Sequence, residues 1–106
     1  MQMQNLFANH APQGDRERFE PLLESKALRL ERILSAGQAS PPGFWYDQDQ
    51  DEWVALLSGE AELVFEEKTE RVLLRPGDFL LIPARKRHRV ERTSLDAIWL
   101  ALYFDR

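Results

Sequence analysis

The sequence predicts an all-β protein, an antiparallel sandwich or barrel built from short strands. Brief runs with strand-like character follow one another closely through most of the 106-residue chain. Gly and Pro residues punctuate these runs, and in the earliest of them apolar residues alternate with charged ones. Short, closely spaced strands separated by turn residues are typical of antiparallel sandwiches and barrels. A chain of this length is expected to form one domain.

The first 26 residues are expected to form a short N-terminal arm that is irregular or partly helical. Asp15 is suited to cap one or two turns of helix, which Pro21 would then limit. The pattern changes after this arm, and residues 27–106 are predicted to form the barrel domain. Its first strand is expected over residues 27–34, where Leu28 and Leu30 stand among charged residues in alternation.

The remaining strands follow a loop over residues 35–43, which ends in the strong breaker Pro41-Pro42-Gly43. The last run, residues 97–104, is apolar at almost every position, so both of its faces should be covered. The barrel interior would cover one face, and the arm or a partner chain the other. We therefore expect a homodimer. The strands predicted after the loop are residues 52–57, 61–65, 71–74, 79–82, 89–92 and 97–104.

Composition excludes several classes of protein. The chain has no Cys, so disulfides, thiolate metal sites and a Cys nucleophile are absent, and a cytoplasmic location is expected. No apolar run reaches the roughly 20 residues of a membrane span, so no membrane partner is expected. The net charge of -4 argues against nucleic acid as a partner. Residues 84–92 carry five basic side chains and a His, and a solvated surface is their simpler interpretation.

Two spacings in the sequence indicate a family. Glu52 precedes Gly59 by seven positions, and Gly77 is followed by five residues, Pro83, and then His88. Together these spacings resemble the two motifs of the cupin superfamily, small jelly-roll β-barrels with a metal site inside. The resemblance covers roughly residues 27–104. It implies a single-domain, cupin-like antiparallel β-barrel of the jelly-roll type.

The first motif departs from the family pattern. Two His residues normally precede the Glu, and this chain has none there. The corresponding positions are Tyr46 and Gln48 if three residues intervene, or Trp45 and Asp47 if four do. In the second motif, Arg85 replaces a Gly and Arg92 replaces an Asn. The resemblance thus implies a scaffold whose usual three-His, one-Glu ligand set is reduced to Glu52 and His88.

The resemblance implies an inward-facing set of Tyr46, Gln48, Glu52, His88 and Arg92. One hypothesis is a pocket for a small polar or anionic molecule, with Arg92 and Tyr46 holding the ligand against Glu52 and His88. The alternative is a divalent metal such as Mn, Fe, Ni or Zn on Gln48, Glu52 and His88. Family members with such a metal include dioxygenases, isomerases and lyases. The sequence leaves open whether this protein is an enzyme.

Overall fold

The structure, a computed structural model, describes residues 1–9 and 16–105. In this part of the chain eight strands and one short 3₁₀-helix, Glu67–Thr69, follow one another. All strand pairs are antiparallel. The strands are β1 Arg18–Glu24, β2 Leu28–Ser35, β3 Asp51–Ser58, β4 Ala61–Phe65, β5 Glu70–Leu74, β6 Phe79–Ile82, β7 His88–Thr93 and β8 Ala97–Phe104.

The strands form two facing sheets, which confirms the predicted all-β jelly-roll barrel. The larger sheet has the order β1-β2-β8-β3-β6, and the smaller one has the order β5-β4-β7. Their inner faces enclose one apolar core, because every second side chain of a strand points to the same face of its sheet. The buried core residues include Val54, Leu56, Leu63, Phe65, Leu74, Ile82 and Trp99.

β3 shows how sequence alternation positions the site. Glu52, Val54 and Leu56 face the interior, and all three are at least nine-tenths buried. The strand ends at Ser58, and Gly59 follows it with a φ of +80°, a left-handed backbone conformation that favours glycine. An added Cβ at this position would lie 2.8 Å from the Ala97 Cα, so the turn also needs the space that glycine leaves.

The N-terminal arm differs from the prediction. Residues 18–24 form β1, an edge strand that pairs with β2 from Arg18↔Leu34 to Glu24↔Arg29. Pro21 is tolerated because it lies at the edge of the sheet, next to a register shift in the pairing. The expectation of an irregular or partly helical arm is therefore wrong for residues 18–24, and Asp15 lies outside the described residues.

The N-terminal segment contacts the outer face of the larger sheet at Leu6 and Ala8. Arg32 on β2 donates hydrogen bonds to the carbonyl oxygens of Leu6 and Ala8, at 3.0 and 2.6 Å. It also pairs with Glu20 of β1, with 2.6 Å between Nε and Oε1. Because Arg32 is only 7% exposed, these partners satisfy a charge that would otherwise be costly to bury. Within the described residues, no helix is long and apolar enough to cross a membrane.

Candidate functional site

A cavity lies between the two sheets, and Glu17, in the segment that leads into β1, is one of its lining residues. Its empty space measures about 530 Å³ with the open mouth included. This is room for a small molecule rather than a large one. The walls are mostly apolar and aromatic, with a few polar groups. The lining residues are Glu17, Phe19, Ile33, Tyr46, Gln48, Glu52, Val54, Leu63, Ile82, His88, Val90, Trp99 and Tyr103.

The polar centre of the cavity is formed by Glu52, His88 and Gln48. Gln48 Nε2 donates a hydrogen bond to Glu52 Oε1 at 3.1 Å. His88 Nε2 lies 3.6 Å from the same oxygen, which is beyond hydrogen-bond range. The side chains of Glu52 and His88 are only 10% and 6% exposed. A carboxylate and an imidazole thus share a buried site without contacting each other directly.

The other ring nitrogen fixes the orientation of His88. Nδ1 lies 2.9 Å from the carbonyl oxygen of Lys86, and a carbonyl only accepts, so we assign a proton to Nδ1. Nε2 therefore faces the cavity. The Tyr46 ring stacks on the imidazole at 5.4 Å between centroids, and Phe65 packs against it at 5.8 Å. Aromatic packing and one backbone hydrogen bond hold the imidazole in place.

The loop before β3 is tied to the loop before β7. Tyr46 and His88 exchange two backbone hydrogen bonds, at 2.7 and 3.2 Å, and Arg85 N donates to the Gln48 carbonyl at 2.7 Å. Arg85 has a φ of +67°, the conformation that the family's glycine would adopt without strain. These bonds explain how Tyr46 and Gln48 reach the cavity although they lie outside the strands.

Burial keeps the two cavity tyrosines neutral. Desolvation raises the pKa of Tyr46, and the nearby carboxylates of Glu17 and Glu52 raise it further. Desolvation also raises the pKa of Tyr103, well beyond its ordinary value, and Glu52 adds to the effect. Both phenol groups therefore stay protonated and can donate a hydrogen bond to a ligand.

The structure brings together four of the five predicted ligand-binding residues. Tyr46, Gln48, Glu52 and His88 all line the cavity, whereas Arg92 does not. The inward position expected for Arg92 is wrong because the pairing of β7 with β4 shifts by one residue. Leu63 lies opposite Val90, but the next pair is Glu62 opposite Arg92, so β7 has one extra residue there. Beyond this extra residue the inward and outward positions of β7 are exchanged, and Arg92 is exposed.

The spacing alternative with four intervening residues does not match the cavity. Neither Trp45 nor Asp47 lines it. The Asp47 carboxylate lies 3.3 Å from Arg85 NH1, and its side chain is 45% exposed. The alternative with three intervening residues is the one that matches the cavity lining, because it places Tyr46 and Gln48 there.

Sequence reasoning missed Glu17 and Tyr103. The alternation of β8 already places Tyr103 on the same face as Trp99, so its pattern contained the signal. Glu17 had no such signal, because it precedes a strand that the sequence did not reveal. Its Oε2 accepts a hydrogen bond from Ser35 Oγ at 2.7 Å, and Ser35 Oγ accepts one from Trp99 Nε1 at 3.1 Å.

The donor set does not fit a tightly held metal. First-row divalent ions are usually held by three or four imidazole, carboxylate or thiolate ligands. Among residues 1–9 and 16–105, no three His, Cys, Asp or Glu side chains group together in a way that could hold one. Glu17, Glu52 and His88 all line the cavity, but the three are not grouped closely enough to hold one ion, and Gln48 turns its amide nitrogen, which is not a metal ligand, toward Glu52.

Comparison with known proteins identifies the family to which this fold belongs. The cupin domain model matches residues 31–103, so the chain belongs to the cupin family. A Ralstonia eutropha crystal structure, whose proposed identity is a mannose-6-phosphate isomerase, shares 50% identity over 100% of both chains with a TM-score of 0.93. Among curated proteins, no sequence matches the chain significantly.

More distant structures show the same fold. A cupin superfamily protein from Desulfitobacterium hafniense is 18% identical, with a TM-score of 0.73 over 90% of this chain and 83% of its own. An RmlC-like cupin from Desulfovibrio desulfuricans is 20% identical, with a TM-score of 0.74 over 97% of this chain and 96% of its own. At these identities the likeness establishes the fold alone.

Proposed function

We propose that this cupin binds a small polar molecule in its barrel cavity through Tyr46, Gln48, Glu52 and His88, without requiring a metal. The observation that carries the proposal is the position of His88 Nε2, 3.6 Å from Glu52 Oε1. No other partner for this nitrogen lies among the described residues. Buried polar atoms are nearly always hydrogen-bonded, so a buried nitrogen that faces open space is suited to contact a ligand.

The cavity favours a ligand that donates hydrogen bonds over an anion. Glu17 and Glu52 both line it, and its described lining residues include no Lys or Arg. With Arg92 outside, the group that motivated an anionic ligand is missing, and two carboxylates would repel an anion. The proposed ligand is therefore a polar molecule that is not an anion.

Amide and indole NMR spectra test this proposal with 3-methylbutan-1-ol as a neutral polar probe. We expect the Trp99 indole and His88 amide signals to shift on titration. Glu52→Gln keeps the shape of the side chain but removes its charge, and should weaken binding several-fold, since hydrogen bonds to charged groups are the stronger ones. Glu60→Gln, an exposed control, should change nothing. Shifts confined to surface residues would contradict the proposal.

A metal-dependent isomerase is the second candidate, and the 50% identical Ralstonia eutropha protein motivates it. The facing atoms of Glu52 and His88 are close enough to contact one ion, and Gln48 would be the third ligand with its amide turned. The lack of a cation among the described lining residues disfavours a phosphorylated sugar. Elemental analysis of wild-type, Glu52→Ala and His88→Ala protein, with an isomerisation assay on mannose 6-phosphate, tests this candidate.

We also propose a homodimer formed through the outer face of the larger sheet. Trp53 lies opposite Leu81 on β6 and Leu102 on β8, and its ring packs against Phe79. Phe79 and Leu81 are 65% and 42% exposed, so an apolar surface crosses three adjacent strands. A two-fold contact between identical copies of this surface would cover it.

Analytical ultracentrifugation tests the dimer. Wild-type protein should sediment as a dimer, and Phe79→Ser should shift it toward the monomer. Leu95→Ser is the matched control, because Leu95 is 73% exposed but lies in the turn before β8, away from this surface. A wild-type monomer at micromolar concentration would contradict the proposal.

Three of the five basic side chains in residues 84–92 pair with acidic side chains. Arg85 pairs with Asp47 at 3.3 Å, Arg87 with Glu66 at 3.6 Å, and Arg89 with Glu91 at 3.2 Å. Each acidic partner offsets a charge that would otherwise attract phosphate groups. These ion pairs support the interpretation of the segment as a solvated surface.

A further inference from the structure

We infer that the ligand class is a small organic cation with N–H donors, such as a primary ammonium, held between the carboxylates of Glu17 and Glu52. This inference rests on the proposed function of the cavity and assigns Glu17 a role that the sequence motifs do not. It depends on three features of the cavity: its acceptor atoms, the support of Glu17, and its aromatic walls.

Acceptor atoms dominate the polar part of the cavity. Two carboxylates line it, and His88 adds the lone pair of Nε2, since its proton is on Nδ1. The available donors are the two tyrosine hydroxyls and the second N–H of Gln48, whose first N–H donates to Glu52. An ammonium group offers three N–H donors and one positive charge, which match these acceptors in both hydrogen bonding and charge.

Glu17 is held in position by a buried chain of hydrogen bonds. Trp99 Nε1 donates to Ser35 Oγ at 3.1 Å, and Ser35 Oγ donates to Glu17 Oε2 at 2.7 Å. Trp99 and Ser35 are 4% and 3% exposed, so rigid core elements support this carboxylate although it lies outside any strand. Its proximity to Tyr46 agrees with this placement, because its charge helps to raise the pKa of that phenol.

Aromatic rings complete the match to a cation. Tyr46, Tyr103, Trp99 and Phe19 all line the cavity. Aromatic faces attract a positive charge, and the attraction grows when water is excluded. The same rings also pack favourably against the hydrocarbon part of an alkylammonium ion. A neutral alcohol would gain only this apolar contact and ordinary hydrogen bonds.

Three probes of similar shape and different charge test the inference: 3-methylbutylammonium, 3-methylbutan-1-ol and 3-methylbutanoate. Each is titrated into the full chain, and the Trp99 indole signal reports binding. We expect the ammonium to bind at least about tenfold more tightly than the alcohol, and the carboxylate to bind most weakly. Equal affinity for ammonium and alcohol would overturn the inference while leaving the proposed function intact. Failure of all three probes would overturn both.

A matched pair of variants then assigns the role to Glu17. Glu17→Gln keeps an oxygen that can accept from Ser35, so the fold should persist while the charge is lost. We expect the ratio of ammonium to alcohol affinity to fall about tenfold in this variant. Glu24→Gln removes an exposed carboxylate at the far end of β1 and should leave the ratio unchanged. An unchanged ratio in Glu17→Gln, or an equal fall in both variants, would overturn the assignment.

Discussion

Replacing Val54 by Ile should fill part of the cavity at no cost to the fold. Val54 is 3% exposed and lines the cavity, so the added methylene can enter existing space. Burying one methylene contributes about 0.8 kcal/mol, which is the upper limit expected for the gain in unfolding free energy. Ile is also β-branched, so the preference for an extended strand is kept.

Val64→Ile is the matched control for this substitution. Val64 is 4% exposed, but it does not line the cavity and lies outside the core cluster between the sheets. An extra methylene in a packed environment costs about 1–3 kcal/mol. The two variants therefore make the same chemical change at similar burial, and the prediction depends on the open space beside Val54 that Val64 lacks.

Urea unfolding followed by tryptophan fluorescence measures the difference. With a slope of about 1–3 kcal/mol per molar urea, a gain of about 0.8 kcal/mol raises the midpoint by roughly 0.3–0.8 M. Val64→Ile should lower the midpoint, and Val54→Ile should also weaken binding of 3-methylbutan-1-ol. If Val54→Ile destabilises the protein as much as Val64→Ile does, the cavity is not open space and the reasoning fails.

Two further predictions concern the fold. Gly59→Ala should lower the unfolding temperature far more than Gly43→Ala. Both glycines have a positive φ, so both substitutions strain the backbone. Only the new Cβ at residue 59 would also collide with another residue, because it would lie 2.8 Å from the Cα of Ala97. Thermal unfolding measures this, and equal losses would contradict it. Burial raises the pKa of Glu20, but hydrogen bonds from Arg32 and Arg18 outweigh it and hold the pKa below the ordinary 4.5. The ionised carboxylate therefore stabilises the fold above pH 4.5 and loses this effect as pH falls through the lower folded pKa. The stability difference between wild type and Glu20→Gln should be greatest at neutral pH and shrink below pH 4.5. A difference that does not depend on pH would refute this.

The sequence predicted the strands whose signal lies in their own residues and in the turns beside them. The turn residues correctly separated the later strands, and Glu52 faces inward as the resemblance implies. The inward position implied for Arg92 is wrong, because the register shift between β7 and β4 depends on pairing with a distant strand. Counting alternate residues along β7 alone cannot detect an extra residue in β7 relative to β4, the strand it pairs with.

Long-range contacts also explain why β1 and Glu17 were missed. β1 has little alternation of its own, contains Pro21, and is a strand only because β2 pairs with it. Glu17 is held at the cavity by Ser35 and Trp99, which are far from it in sequence. Arg85 shows a related effect, since its backbone takes the left-handed conformation although its side chain is not the family's glycine.

The most direct test of the central claim is an NMR titration of the wild-type protein with 3-methylbutan-1-ol, before and after dialysis against a chelator. Binding inside the cavity without a metal predicts that the His88 amide and Trp99 indole signals shift in both samples with the same dissociation constant. Shifts that vanish after the chelator treatment, or that occur only outside the cavity, would contradict the account.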